Sequence, residues 1–240
     1  MKRIILFAAL ILTAAHAATI TITPAGSIVD ATATRNAWFA SNFGANATIQ
    51  NLETFEAVSY GPFTQLAAGP GTFSVMQGAL PSFSNGTRNN EFTVLNNSNT
   101  PFFGRYDTTP GGNNWLDSND ITKLQLSTSL TTLFFFITDV NDVDGSLRIQ
   151  TADGTSATNF AATGADGNLY FVGITSSGPI GSIQWINNSQ NDGFGLDDFG
   201  TAKYNSSTPE PATSHAAGTG LLILATSLLI RGRKPAPEID

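Results

Sequence analysis

The 240-residue chain has no cysteine, two histidines and few charges, with Asp, Glu, Lys and Arg together making up 12% of it. Both histidines, His16 and His215, lie near the ends, so residues 18–208 carry neither imidazole nor thiolate. That stretch cannot assemble a Ser-His-Asp or Cys-His nucleophile, nor a zinc site of imidazole and thiolate ligands. No disulfide can brace the fold, which leaves stability to the core or to a bound metal. Cations are the scarcest side chains. Between residues 18 and 208 there are six (Arg35, Arg88, Arg105, Lys123, Arg148, Lys203) against fifteen carboxylates, a net charge of −9, which argues against nucleic acid as a partner. Gly-x-Ser-x-Gly, Walker and dinucleotide fingerprints are also missing from the sequence.

Long apolar runs occur at the two ends. Lys2 and Arg3 precede an uncharged, mostly apolar stretch at residues 4–13, and Ala15-His16-Ala17 offers small residues where signal peptidase needs them. Residues 1–17 therefore read as a signal peptide cleaved after Ala17. The run is too short to span a bilayer, which takes about 20 residues. At the other end Pro209-Glu210-Pro211 leads into residues 212–230, uncharged and strongly apolar from 221 onward, and then Arg231-Gly232-Arg233-Lys234. An apolar stretch closed by cations is a stop-transfer pattern and predicts a membrane-spanning helix.

A Pro-Glu-Pro triplet, an apolar helix and a basic cluster, in that order near the C-terminus, resemble the sorting signal of the PEP-CTERM family. The resemblance implies export through the envelope of a Gram-negative bacterium and processing by an exosortase. Pro209, Glu210 and Pro211 would be the recognition element, and Arg231, Arg233 and Lys234 the basic cluster. It also implies at least transient anchoring in the membrane and association with exopolysaccharide. The expected layout is a signal peptide (1–17), an ectodomain (18–204), a linker (205–208), the sorting signal (209–234) and a short tail (235–240). Usually the family signal stops close to its basic cluster, and here six residues trail it.

The middle of the chain is rich in Gly, Asn, Thr, Phe, Ile and Val. Residues 19–23 alternate Thr and Ile, as a half-buried strand does. Residues 34–40 read as a short helix, N-capped by Thr34 and closed near Gly44, with Phe39 and Phe43 on one face plugging an end of the core. Strand-like runs follow at 54–60, 72–76, 91–95, 122–126, 130–138, 146–151, 169–174, 180–186 and 195–199. Asp-Gly pairs at 144, 153, 166 and 192 punctuate them. The expected fold is all-β: an antiparallel, jelly-roll-like β-sandwich with one short helix near the N-terminus. Leu133-Phe134-Phe135-Phe136-Ile137 is apolar on both faces and should form a central strand. Residues 35–40 (RNAWFA), 53–56 (ETFE) and 192–199 (DGFGLDDF) resemble, in order and rough spacing, a recurrent lectin-like ectodomain of PEP-CTERM proteins, a resemblance that carries a fold more than an activity.

Carboxylates are the remaining chemistry. Glu53 and Glu56 on one strand, or adjacent Asp197 and Asp198, would point to opposite faces, so the sequence singles out no glycosidase pair. The Asp139-Val140-Asn141-Asp142-Val143-Asp144-Gly145 turn concentrates hard oxygen ligands but lacks EF-hand spacing. Two readings stand for these groups. Either they are hairpin turns and solvated carboxylates, or calcium binds as a structural cofactor, through Asp139, Asp142 and Asp144 or through Glu56 with Asp197 or Asp198 joining early and late strands. Residues 96–119 look like a long polar loop, in which Tyr106 and Trp115 either stack on a sugar or tuck beneath the loop. The leading expectation is a non-enzymatic envelope or matrix protein whose partners are signal peptidase, exosortase, the membrane and exopolysaccharide. The alternatives are a calcium-stabilised carbohydrate-binding module and a carboxylate-dependent glycosidase.

Overall fold

The computed structural model describes residues 17–78, 90–96, 104–140, 147–160, 166–187 and 192–204. The signal peptide, Asp142, Asp144, the Pro209-Glu210-Pro211 motif, Arg231, Arg233 and Lys234 lie outside the described residues. Among the described residues no helix is long and apolar enough to cross a membrane.

Among the described residues the chain is all-β and antiparallel apart from one helix. In order it runs β1 (Ala18–Ala25), α1 (Ile28–Phe43), β2 (Ala47–Glu53), β3 (Gly61–Phe63), β4 (Gln65–Ala68), β5 (Gly71–Gln77) and β6 (Phe92–Asn96). There follow β7 (Asn114–Asp117), β8 (Lys123–Thr128), β9 (Thr132–Thr138), β10 (Arg148–Thr151), β11 (Ser156–Ala157), β12 (Leu169–Ser176), β13 (Gly181–Ile186) and β14 (Gly195–Tyr204). One sheet has the order β1-β12-β9-β14-β7-β6-β3, with β2 added along the second half of β14. The other runs β11-β10-β13-β8-β5-β4. Side chains from both sheets meet in one apolar cluster. Phe135 of β9 lies edge-on to Trp185 of β13 at 5.3 Å, and Phe73 of β5 meets Phe199 of β14 at 5.4 Å.

Strand β9 is central, between β12 and β14, as its unbroken apolar run requires. Its alternation then serves two layers. Leu133, Phe135 and Ile137 enter the core between the sheets, while Phe134 and Phe136 form a second cluster on the outer face with Phe171 and Ala31. Helix α1 covers that outer face. Trp38 packs on Phe171 at 5.4 Å and on Phe134 at 6.5 Å. The helix is longer than the sequence suggests. Its N-cap is Ser27, whose Oγ accepts from the Asp30 amide at 3.2 Å, so Thr34 is interior. The expected stop at Gly44 holds, because its φ of 70° suits glycine and its N–H donates to the Ala40 carbonyl. Phe39 and Phe43 lie against each other at 5.1 Å on this outer-face helix rather than plugging an end of the core.

Two expectations about strands are corrected. Residues 54–60 form a turn, not a strand. The Glu53 carboxylate accepts from the Phe55 amide at 2.7 Å, Val58 donates back to the Phe55 carbonyl, and Phe55 at φ 57° drops its ring into the core against Phe73 and Phe199. The polar stretch 96–119 hides β7, which pairs with both β6 and β14.

Helix and sheet approach so closely over Trp38 that only glycine fits beneath it. A Cβ at Gly173 would come within 2.4 Å of Trp38 Cε2. Gly173→Ala is therefore expected to destabilise the domain by about 1–3 kcal/mol through overpacking. Adding Trp38→Leu should recover part of the loss in a double-mutant cycle followed by urea unfolding, since the two residues share one contact.

Candidate functional site

The centre of the site is a break in the alternation of β14. Leu196 and Phe199 both enter the inter-sheet core, although an odd separation of three puts side chains on opposite faces of a regular strand. The register against β9 absorbs the difference: Asp197 sits opposite Phe136 and Gly200 opposite Phe134, so β14 spends one residue more than β9. That is a β-bulge, and Asp198 occupies it at φ 51°. Asp197 shares the outer face with its partner Phe136, and Asp198 reaches Arg35 of α1 on the same side, with Arg35 Nη1 3.3 Å from its Oδ2. The two aspartates thus point to one face and not to opposite ones, which corrects the reading from the sequence.

Two further carboxylates join them. Asp107, from the segment that leads into β7, is 6% exposed and lies beside Asp197. Glu56, exposed at the turn after β2, accepts from the amides of Asn113 and Asn114, both at 2.7 Å. Glu56 Oε1 and Asp107 Oδ1 flank one point, the place a Cβ on Gly112 would take, at 2.5 and 2.9 Å. The inner anchor is Asp197. Its Oδ2 accepts from the amide and hydroxyl of Thr108 (2.7 and 3.0 Å) and of Thr109 (3.1 and 3.2 Å), fastening residues 108–109 to β14. Burial raises the Asp197 carboxyl well above its ordinary range, and the charges of Asp107 and Asp198 add to this. Burial likewise pushes Asp107 up to about 6, against a hydrogen bond shared with the Asp197 carboxyl and one accepted from the Thr109 amide, with Glu56 and Asp198 contributing repulsion. Asp198 is raised by burial and held back by Arg35.

A second knot of charge lies beside the first. Arg105, 7% exposed, places Nη1 2.8 Å from Asp117 of β7, Nε 3.2 Å from Asp139 at the end of β9, and Nη2 3.5 Å from Asp192 ahead of β14. Burial works against its charge, yet the three carboxylates, Asp117 foremost, hold the guanidinium firmly protonated. Asp139, at φ 62°, also accepts from the Gly167 amide at 3.0 Å. It therefore serves Arg105 and does not sit among the Glu56, Asp197 and Asp198 group.

The aromatic expectations divide. Trp115 is fully buried on β7, with Cε3 3.2 Å from where a Cβ on Gly195 would stand, so no face of its ring is open to a sugar. It tucks under, because β7 is a strand inside the sheet and not part of a loop. Tyr106 is half-buried and donates its hydroxyl to the Gly167 carbonyl at 3.3 Å. Burial, then the Asp139 charge, raises its phenol.

Arg105, Asp107, Asp117 and Asp192 went unnoticed as site residues in the sequence. The signal that could have found Arg105 is scarcity: one of six cations between residues 18 and 208, set between Phe102-Phe103 and Tyr106 in a stretch otherwise polar. Elsewhere among the described residues an apolar groove of about 440 Å³ lies between the end of α1 and β2, bounded by Asn36, Phe39, Gly44, Ala47 and Ile49. It offers shape without titratable groups.

Removing one partner from a buried ionic knot leaves the others uncompensated, at a cost of about 3–5 kcal/mol. Arg105→Met should accordingly lower unfolding stability in urea by that amount, whereas Arg148→Met, on the exposed face of β10, should change it by less than about 0.5 kcal/mol. No protein-family model matches the chain, and no curated protein is similar enough to it to carry a function across.

Proposed function

We propose that this chain is an exported, non-enzymatic envelope protein of a Gram-negative bacterium. In this reading a jelly-roll-like ectodomain is delivered by a signal peptide cleaved after Ala17, sorted by an exosortase at Pro209-Glu210-Pro211, and displayed in contact with exopolysaccharide. The carrying observation is the order of features: strand β14 ends at Tyr204, and the Pro-Glu-Pro triplet, the apolar stretch 212–230 and the Arg231, Arg233, Lys234 cluster follow within thirty residues. The non-enzymatic reading is supported by the chemistry of residues 18–204, which have no imidazole or thiol, and by Asp197 and Asp198, which are buried. The carbohydrate-binding alternative loses Trp115 and falls back on Tyr106.

The entry into β1 agrees with cleavage after Ala17. Ala18 is the first strand residue, and its nitrogen donates to Asp153 Oδ2 at 2.7 Å. Cleavage after Ala17 turns that amide into an α-ammonium facing a carboxylate. Asp153 already lies at about 2, lowered first by the Thr151 hydroxyl and further by Thr155 and Ala18.

Intact-mass analysis of the protein from its native envelope fraction is expected to give a chain beginning at Ala18 and cut near Pro209-Glu210-Pro211. A mass that retains residues 221–234 would replace exosortase processing with simple anchoring, and one that retains Met1 would remove the signal peptide. A lowered carboxyl stabilises above its unfolded value and loses this as pH falls through its folded value. Asp153 therefore contributes above about pH 4 and fades toward pH 2. The ammonium contributes below the usual α-amine range, about 7.7–8.0, and fades above it. Asp153→Asn should thus lower the thermal midpoint between about pH 4 and 8 in a chain starting at Ala18, and lower it less when the leader is retained.

A further inference from the structure

The six-stranded sheet carries a pattern on its solvent face that neither the core nor the acidic corner uses. Strand register sets one row across all six strands: Gln65 of β4 lies opposite Ser74 of β5, followed by Gln125 of β8, Gln184 of β13, Gln150 of β10 and Ser156 of β11. Their chain neighbours Phe73, Leu124, Ile183 and Ile149 enter the core, so the row lies on the outer side. A second row beside it holds Ala67, Thr72, Ser127 and Ser182. Neither row contains a charged residue, although residues 18–208 carry fifteen carboxylates. Charge begins one row further on, where Lys123 and Arg148 flank Ile186.

The amides are held sideways by one another and by hydroxyls. Gln184 Nε2 donates to Gln125 Oε1 at 2.8 Å, Gln125 Nε2 to Ser127 Oγ at 3.2 Å and Gln65 Nε2 to Ser74 Oγ at 3.4 Å. Gln125, Gln150 and Gln184 are half-buried, and side chains already ordered lose less entropy when a partner binds. Neighbouring strands lie about 4.8 Å apart, so the row repeats an amide or hydroxyl at that step over about 24 Å. Each of these groups can both donate and accept.

We propose that this face of the small sheet binds a neutral, hydroxyl-rich polysaccharide laid across the strands. The inference rests on the exopolysaccharide contact proposed above and gives it a place and a chemistry. A sugar ring presents hydroxyls that donate and accept, at a repeat comparable with the strand spacing. Charge and shape disfavour other partners. An anionic polymer meets a domain with fifteen carboxylates against six cations and finds cations only at the margin of the face. A protein partner, a second copy included, needs apolar or aromatic anchors. Among the described residues the large exposed apolar side chains Val29, Tyr60 and Tyr204 lie off this sheet, and Met76 sits at the bulge of β5, level with the charged margin. With no ring to stack on, each contact is weak, and affinity grows with the number of contacts along a polymer.

The test is retention of the full chain, in a detergent without a sugar headgroup, on immobilised dextran, galactomannan and alginate and on the exopolysaccharide of the source cells. The wild type is expected to be retained by a neutral polymer, equally at about 0.05 and 0.5 M sodium chloride. Gln125→Ala and Gln184→Ala should each weaken retention by about 3- to 10-fold at an unchanged thermal midpoint, while Val29→Ser leaves it as it was. If either midpoint falls, Gln65→Ala and Ser74→Ala carry the comparison. Retention that survives the glutamine variants but is lost in Tyr106→Phe overturns this surface and leaves the exopolysaccharide reading standing. No retention on any of the four polymers overturns both. Binding to alginate that disappears with salt assigns recognition to Lys123 and Arg148 and overturns a neutral partner. A wild-type dimer that Gln184→Ala converts to monomer overturns the proposal in favour of a contact between copies.

Discussion

One guanidinium ties the three middle strands of the large sheet together. Arg105 bonds to the end of β7, the end of β9 and the approach to β14, three points more than ten residues apart in sequence that meet where those strands leave the sheet. A buried ion cluster of this kind adds little net stability over an apolar core, but losing any member leaves the rest unpaired in a poorly polarisable surrounding. It acts as a constraint more than a source of energy. The placement of residues 104–110, and hence of Asp107 and Thr108 against Asp197, depends on it.

The second constraint is the bulge at Asp198. A regular β14 would have turned Phe199 outward under α1 and one of the two aspartates inward among Phe73, Phe135 and Trp185. One extra residue returns Phe199 to the core and keeps both carboxylates outside, at the cost of a left-handed backbone conformation that aspartate tolerates better than most residues. The same outer face carries the aromatic bed of Phe134, Phe136 and Phe171, over which α1 lays Trp38 and Arg35, the latter with its guanidinium 5.7 Å above the Phe134 ring. A hydrophobic cover and an acidic corner thus share one sheet surface.

Several elements were legible in the residues alone. The alternation of Thr and Ile in β1, the doubly apolar run of β9 and the glycine that ends α1 each follow from local rules of period and φ, and each stands where the sequence put it. The departures share a cause. Residues 54–60 and 96–119 depart from their local pattern because the turn at Phe55 and strand β7 are decided by distant partners: the Phe73 and Phe199 rings in one case, and the edges of β6 and β14 in the other. Helix α1 began six residues early because Ser27 and Asp30 cap it as well as Thr34 could.

By itself the sequence determined what this protein lacks and what it must bury. A chain with no thiol, no imidazole between residues 18 and 208 and six cations there has chiefly oxygen groups for polar chemistry, and its Phe-rich strands must pair and stack. Only the tertiary structure decided which oxygens meet. Asp107 and Asp197 are ninety residues apart, and Asp197 and Asp198 would diverge on any regular strand. Their convergence comes from a register shift and a buried arginine, both properties of how strands pair across the sheet and of charge balance in its interior, which no local window of residues contains.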